Sequence, residues 1–158
     1  MKFKYKIYYR LLAVLVVVVF VGLYKVLEVK DINISEIRNA IINSTDVSVM
    51  DEDDGTKLRK LYGVNKYDLD QFIYYGPKSN MEANEILIIK PKNDSDTEKI
   101  EKAITNRINT QSDSFRNYNK EQYEILSNHI LEKKDGYIIL LISKDNEKIK
   151  QSLRSEER

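Results

Sequence analysis

The 158-residue chain has no cysteine, one histidine and only five glycines, which never cluster. Without cysteine there is no disulfide framework, no thiolate nucleophile and no lipid attachment at a processed Cys, so folded structure must rest on packing alone. With His129 as the single imidazole, no zinc site can assemble from His and Cys, and no Ser-His-Asp system exists except around that one ring. No nucleophile motif accompanies it, and its place at a helix-to-strand junction reads as a surface or capping residue. Gly22, Gly55, Gly63, Gly76 and Gly136 are scattered, so none builds a phosphate-cradling loop. An excess of basic charge is missing where it would matter. The chain carries +1 overall, but residues 31–158 hold 20 Lys/Arg against 24 Asp/Glu, a net of −4. That balance argues against nucleic acid as a partner, because phosphate binding needs a basic face. No catalytic residue, cofactor or metal is expected.

What is present first is an apolar stretch, Leu11 to Val29, in which 14 of 19 residues are Leu, Val or Phe. On the insertion scale they favour a bilayer by about 4–8 kcal/mol. The uninterrupted run Leu11–Tyr24 has only 14 residues, about 21 Å of helix against a hydrocarbon core of about 30 Å. A span over residues 7–29 is reached if Arg10 and Lys25 snorkel outward, with Tyr5, Tyr8, Tyr9 and Tyr24 as an aromatic belt. No small-x-small pair follows the run, which disfavours signal cleavage. Lys2, Lys4, Lys6 and Arg10 precede it, placing the N-terminus inside. The expected layout is therefore a cytoplasmic basic tail over 1–6, a single-pass signal anchor over 7–29 in the cell membrane, and an extracellular domain over 31–158.

About 128 residues suit one domain with one core. Asn33 and Glu36 open a short helix with Ile34, Ile37, Ile41 and Ile42 at helical spacing. Ser44 to Gly55 reads as a loop ending in Asp51-Glu52-Asp53-Asp54. A calcium loop fails there, since with Gly55 at the turn position the terminal ligand slots would be Met50 and Leu61. The acidic run instead suits the N-terminus of a helix over Thr56–Tyr62, closed by Gly63. Leu69–Tyr75 and Glu85–Lys90 are strands, the second apolar enough to be covered on both faces. Gly76–Asn84 between them is longer than a hairpin needs. Ser95 and Glu98 form a capping box for a helix with Ile100, Ala103, Ile104 and Ile108 inward, and a second helix follows Asn117–Asn119. Ile130–Lys133 and Tyr137–Ser143 flank Asp135-Gly136 as a type I′ hairpin, and Asp145 caps a last helix through Ile149 and Leu153. Two antiparallel pairs around a helical pair indicate an α+β fold: a transmembrane helix, then a mainly antiparallel four-stranded sheet packed by helices.

The segments Leu58-Arg59-Lys60-Leu61-Tyr62-Gly63-Val64-Asn65 and Ser79-Asn80-Met81-x-Ala83-x-Glu85-Ile86-Leu87-Ile88 resemble a bacterial family of membrane-anchored extracytoplasmic proteins, the domain-of-unknown-function family numbered 4358. The resemblance covers roughly Gly55 to Leu153. It implies a location and one shared fold, and it carries no site residues. The bias to Lys over Arg, 19 to 7, agrees with a bacterial origin.

Two function classes follow. The first is a non-catalytic binding or assembly module of the cell envelope, with a protein or cell-wall glycan partner besides the lipid bilayer. Its contact patch would combine Arg59, Tyr62, Tyr74, Tyr75, Ser79 and Asn80, because tyrosine offers contact area at low entropy cost and the Gly76–Asn84 loop carries a side-chain amide. Tyr74 and Tyr75 point to opposite faces of a strand, so one of them is expected at the surface. The second class is a cell-envelope hydrolase or transferase built on a carboxylate pair, which would show as two acids meeting in a pocket with one pKa raised.

Overall fold

The computed structural model describes residues 2–27 and 33–155, with the side chains of 8–22 and 33–155. The chain divides into two units, Met1–Asp31 and Ile32–Arg158.

The first unit holds α1 (Lys2–Leu27), whose described side chains from Tyr8 to Gly22 are all exposed. Among the described residues no helix is long and apolar enough to cross a membrane. This corrects the span expected over 7–29 and the single-pass placement built on it. The physical reason is the short run already visible in the sequence: charges at Arg10 and Lys25 bracket 14 apolar residues, about 21 Å of a core about 30 Å thick. The far end of that expected span, residues 28 and 29, lies outside the described residues, as do 156–158 of the tail expected to fray.

The second unit is α+β, with one antiparallel sheet of five strands in place of the expected four. In chain order come α2 (Ile34–Ser44), β1 (Met50–Glu52), α3 (Thr56–Tyr62), β2 (Leu69–Pro77), β3 (Glu85–Pro91), α4 (Thr97–Arg116), α5 (Lys120–Ser127), β4 (Ile130–Lys134), β5 (Tyr137–Ile142) and α6 (Asn146–Ser155). Short 3-10 turns lie at Val47–Val49, Lys66–Asp68 and Asp94–Asp96. The strand order is β1-β2-β3-β5-β4, every neighbouring pair antiparallel. The added strand is β1, where Met50, Asp51 and Glu52 pair with Pro77, Gly76 and Tyr75. Two of its three residues are acidic and poor strand formers, so the pairing comes from the free backbone edge of β2 rather than from local preference.

Strand alternation sorts the core into two halves. Leu69, Tyr74, Leu87, Ile89, Leu140 and Ile142 point to one face, which α3, α4 and α5 cover with residues such as Leu58, Ile104, Phe115 and Leu126. Ile73, Tyr75, Ile86, Ile88, Ile139 and Leu141 point to the other, covered by Ile37 and Ile41 of α2 and Ile149 and Leu153 of α6. The unbroken apolar runs of β3 and β5 are thus explained by helices on both faces. The same arrangement corrects the expectation for Tyr74 and Tyr75. Both are buried, at 1% and 3% exposure, because β2 lies inside the sheet and neither face is open to water.

Local signals hold with two adjustments. Asn33 caps α2 by accepting from the Ser35 N–H at 3.0 Å, Asn119 caps α5 from Gln122 at 3.2 Å, and Asp135 and Gly136 both take positive φ, as a type I′ turn needs. The Ser95–Glu98 capping box does not form. Ser95 is inside the 3-10 turn and α4 begins at Thr97, so its hydroxyl is not at the cap. For α3 the cap is Asp53, whose carboxylate accepts from the N–H groups of Gly55, Lys57 and Leu58 at 2.9, 2.9 and 3.1 Å. Its acidic neighbours are engaged separately, Asp51 by Lys57, Glu52 by Arg38 and Asp54 by Thr56. Asp53→Ala should therefore lower stability by about 1–2 kcal/mol in urea unfolding; an unchanged midpoint would mean that the three N–H groups find other acceptors.

Candidate functional site

The sheet face under α3 and α4 carries one fully buried charge on its apolar parity. Glu85 shares the face of Leu87 and Ile89, and its side chain is fully buried. Burying a carboxylate costs several kcal/mol unless every oxygen is engaged. Here Oε1 accepts from Tyr62 Oη at 2.6 Å and from Tyr74 Oη at 2.5 Å, while Oε2 accepts from Arg107 Nε at 3.2 Å and Nη2 at 3.1 Å. The four residues come from α3, β2, β3 and α4, so this brace ties one layer of helices to the centre of the sheet. The two tyrosine rings meet edge to face at 6.1 Å, and the Arg107 guanidinium stacks 5.4 Å from the Tyr62 ring. Gly76 leaves room for it, because a Cβ there would come within 2.7 Å of Tyr74 Oη.

Burial, and then the nearby Glu85 charge, push the Tyr62 phenol well above its ordinary pKa. The same causes in the same order raise Tyr74. Burial works against the Arg107 charge, but Glu85 outweighs it and holds the guanidinium above its ordinary value.

Arg107 is also the floor of a groove of about 280 Å³ between α3, α4 and the loop Lys78–Asn84. Lys57, Lys60, Lys78, Ser79, Asn80 and Gln111 form its polar lining, and Leu61, Pro77 and Phe115 contribute apolar surface. The loop is two residues shorter than expected, since Gly76 and Pro77 belong to β2. Its end is fixed by the Ala83 N–H donating to Gln122 Oε1 at 2.7 Å, while Ser79 and Asn80 remain exposed.

Of the six residues singled out in the sequence, Ser79 and Asn80 line this groove and Tyr62 and Tyr74 are buried in the brace beneath it. Arg59 is exposed on a separate shallow surface with Asn65, Lys66 and Tyr67. Tyr75 lies on the opposite sheet face, where its hydroxyl accepts from Arg38 at 3.3 Å. Sequence reasoning missed Glu85 and Arg107. The available signal was parity, a carboxylate on the same alternation as Leu87 and Ile89, and an arginine beside the Ile104–Ile108 stripe of α4. His129 caps α5, its Nδ1 lying 2.8 Å from the Leu126 carbonyl oxygen. A larger groove of about 780 Å³ lies between α5 and α6, but its Glu121 is paired with Lys144 and its Asp145 accepts from Thr45. Among the described residues no three His, Cys, Asp or Glu side chains are placed to hold a metal ion.

Two measurements check the brace. Unfolded tyrosines ionise near pH 10, whereas Tyr62 and Tyr74 stay protonated above it. The folded state therefore binds more protons there, and stability present below about pH 10 falls as pH rises past it, by up to about 1.4 kcal/mol per pH unit for each tyrosine. Tyr62→Phe and Tyr74→Phe should each flatten that alkaline slope by about one proton in unfolding titrations, and an unchanged slope would refute the assignment. Gly76→Ala should cost about 1–3 kcal/mol by displacing the Tyr74 ring, read from its urea midpoint.

Comparison with known proteins returns a family and nothing closer. No curated protein and no solved structure matches the chain. The family described as "Domain of unknown function (DUF4358)" matches residues 43–143, beginning upstream of Gly55 and stopping short of Leu153. That range holds all five strands, the Glu85 brace and the groove lining. The match spans more than half of the sequence, and the chain belongs to the DUF4358 family.

Proposed function

We propose that the domain is a non-catalytic binding module whose contact surface is the groove between α3, α4 and the Lys78–Asn84 loop, with a protein or glycan as its partner. The observation that carries this reading is the posture of Arg107. Three of its neighbours, Tyr62, Tyr74 and Glu85, are buried and serve to hold one guanidinium in one orientation at the floor of an open groove. A pre-organised donor of this kind binds without losing side-chain freedom at the moment of contact. No Asp or Glu is among the residues that line this groove, so a mechanism built on a carboxylate pair has no acid to use there.

A photo-crosslinking amino acid at Asn80 should yield a discrete cross-linked species in cells, and one at Glu147 in the α5/α6 groove should not. Replacing Ser79 and Asn80 together by Ala should change stability by less than about 1 kcal/mol, since both are exposed, and a crosslinker at Lys78 in that variant should capture less. Equal labelling from Asn80 and Glu147 would overturn this assignment of the contact surface.

A further inference from the structure

We infer that the groove takes the oxyanion of an acidic glycan, a carboxylate or phosphate group carried by a sugar; this rests on the binding reading above. The first support is charge. Residues 31–158 carry a net of −4, yet Lys57, Lys60, Lys78 and Arg107 line the groove and no Asp or Glu does. Two of these cations have a carboxylate behind them, Lys57 with Asp51 and Arg107 with Glu85. Lys78 donates to the Ser48 carbonyl at 2.5 Å and, although its charge is felt by Asp46 and Asp51, makes no ion pair among the described residues, and the exposed Lys60 makes none either.

The second support is the geometry of Arg107. Its Nε and one edge of Nη2 are spent on Glu85, and a planar guanidinium with that edge fixed directs its remaining N–H donors away from the buried carboxylate. The third support concerns the rest of the ligand. Ser114 is exposed and spends its hydroxyl proton on the Thr110 carbonyl at 2.9 Å, leaving its oxygen to accept, and the exposed side-chain amide of Asn80 offers a second acceptor oxygen at the groove. Acceptors beside an anion site call for a ligand that carries hydroxyl donors next to its charge, which is what an acidic sugar presents. About 280 Å³ has room for one such unit, and the lining lacks the exposed aromatic anchors that dominate protein interfaces.

The test titrates the full-length ¹⁵N-labelled chain with four probes: tetragalacturonate, glucose 6-phosphate, neutral maltotetraose and tetraglutamate. Saturable amide shifts in Lys78–Asn84 and around Arg107 are expected with at least one of the two acidic sugars and not with maltotetraose; which of the two acts distinguishes carboxylate from phosphate. Lys60→Gln with Lys78→Gln should weaken that binding at least tenfold, and Lys148→Gln in the α5/α6 groove should leave it unchanged. Equal or tighter binding of tetraglutamate would overturn the inference in favour of an acidic peptide, and silence to both acidic sugars would overturn it outright. Should the Asn80 cross-link persist while the acidic sugars fail, the binding surface stands and only its ligand class falls; loss of both would remove the two together.

Discussion

A carboxylate without access to water has to find partners inside the protein, and in this domain Glu85 sets that condition for everything around it. Its demand is met by Tyr62 from α3, Tyr74 from β2 and Arg107 from α4, so three elements are placed relative to β3 by hydrogen bonds as well as by apolar contact. Such an arrangement contributes little net stability compared with a well-packed apolar core, but removing one member strands the others, at about 3–5 kcal/mol. Its value lies in specificity of placement. The Arg107 guanidinium cannot reorient without uncovering Glu85.

The sheet makes that placement stiff. β3 is flanked by β2 and β5, and helices cover both of its faces, so Glu85 enters a part of the molecule where backbone and side chains have no slack. The opposite layer is fastened independently. The hydroxyls of Ser44 in α2 and Ser152 in α6 share a hydrogen bond of 2.6 Å, Thr45 donates to Asp145 at 2.9 Å, and Lys150 of α6 pairs with Glu132 of β4 at 2.5 Å. One side of the sheet is thus organised around a charge and the other around helix-to-helix hydroxyl contacts and ion pairs. The groove opens on the charged side, where the polar lining of α3 and α4 meets the loop after β2.

Much of the secondary structure was legible before the fold. The helices from Ile34, Thr56 and Lys120, the apolar strands β3 and β5 and the Asp135-Gly136 turn follow from periodicity and turn chemistry acting over a few residues. The failures share a cause. β1 is made by the exposed edge of β2 and not by Met50-Asp51-Glu52 themselves; the capping box fails because Ser95 itself sits inside the 3-10 turn Asp94–Asp96; and Tyr75 is buried because α2 covers a face that the sequence left open. At the site, loop length points to Ser79 and Asn80, whereas Glu85 looks like an ordinary charge at the start of a strand and Arg107 like one on the polar side of a long helix.

By itself the sequence determined the chemistry that cannot occur here and the local elements that must. Lacking cysteine and having one histidine, the chain had no route to thiolate or His/Cys zinc chemistry, and its apolar periods specified an antiparallel α+β domain. A 14-residue apolar run also stated its own shortfall, about 21 Å of helix, although the balance of its flanking charges suggested a longer span. Only the tertiary structure decided that residues 62, 74, 85 and 107 converge, that β2 has a further neighbour, and that a cationic groove forms on a net acidic domain. The physical reason is range. Propensity, capping and alternation act over one to four residues, whereas the energy of a buried charge depends on which donors the fold delivers from 11 to 23 positions away.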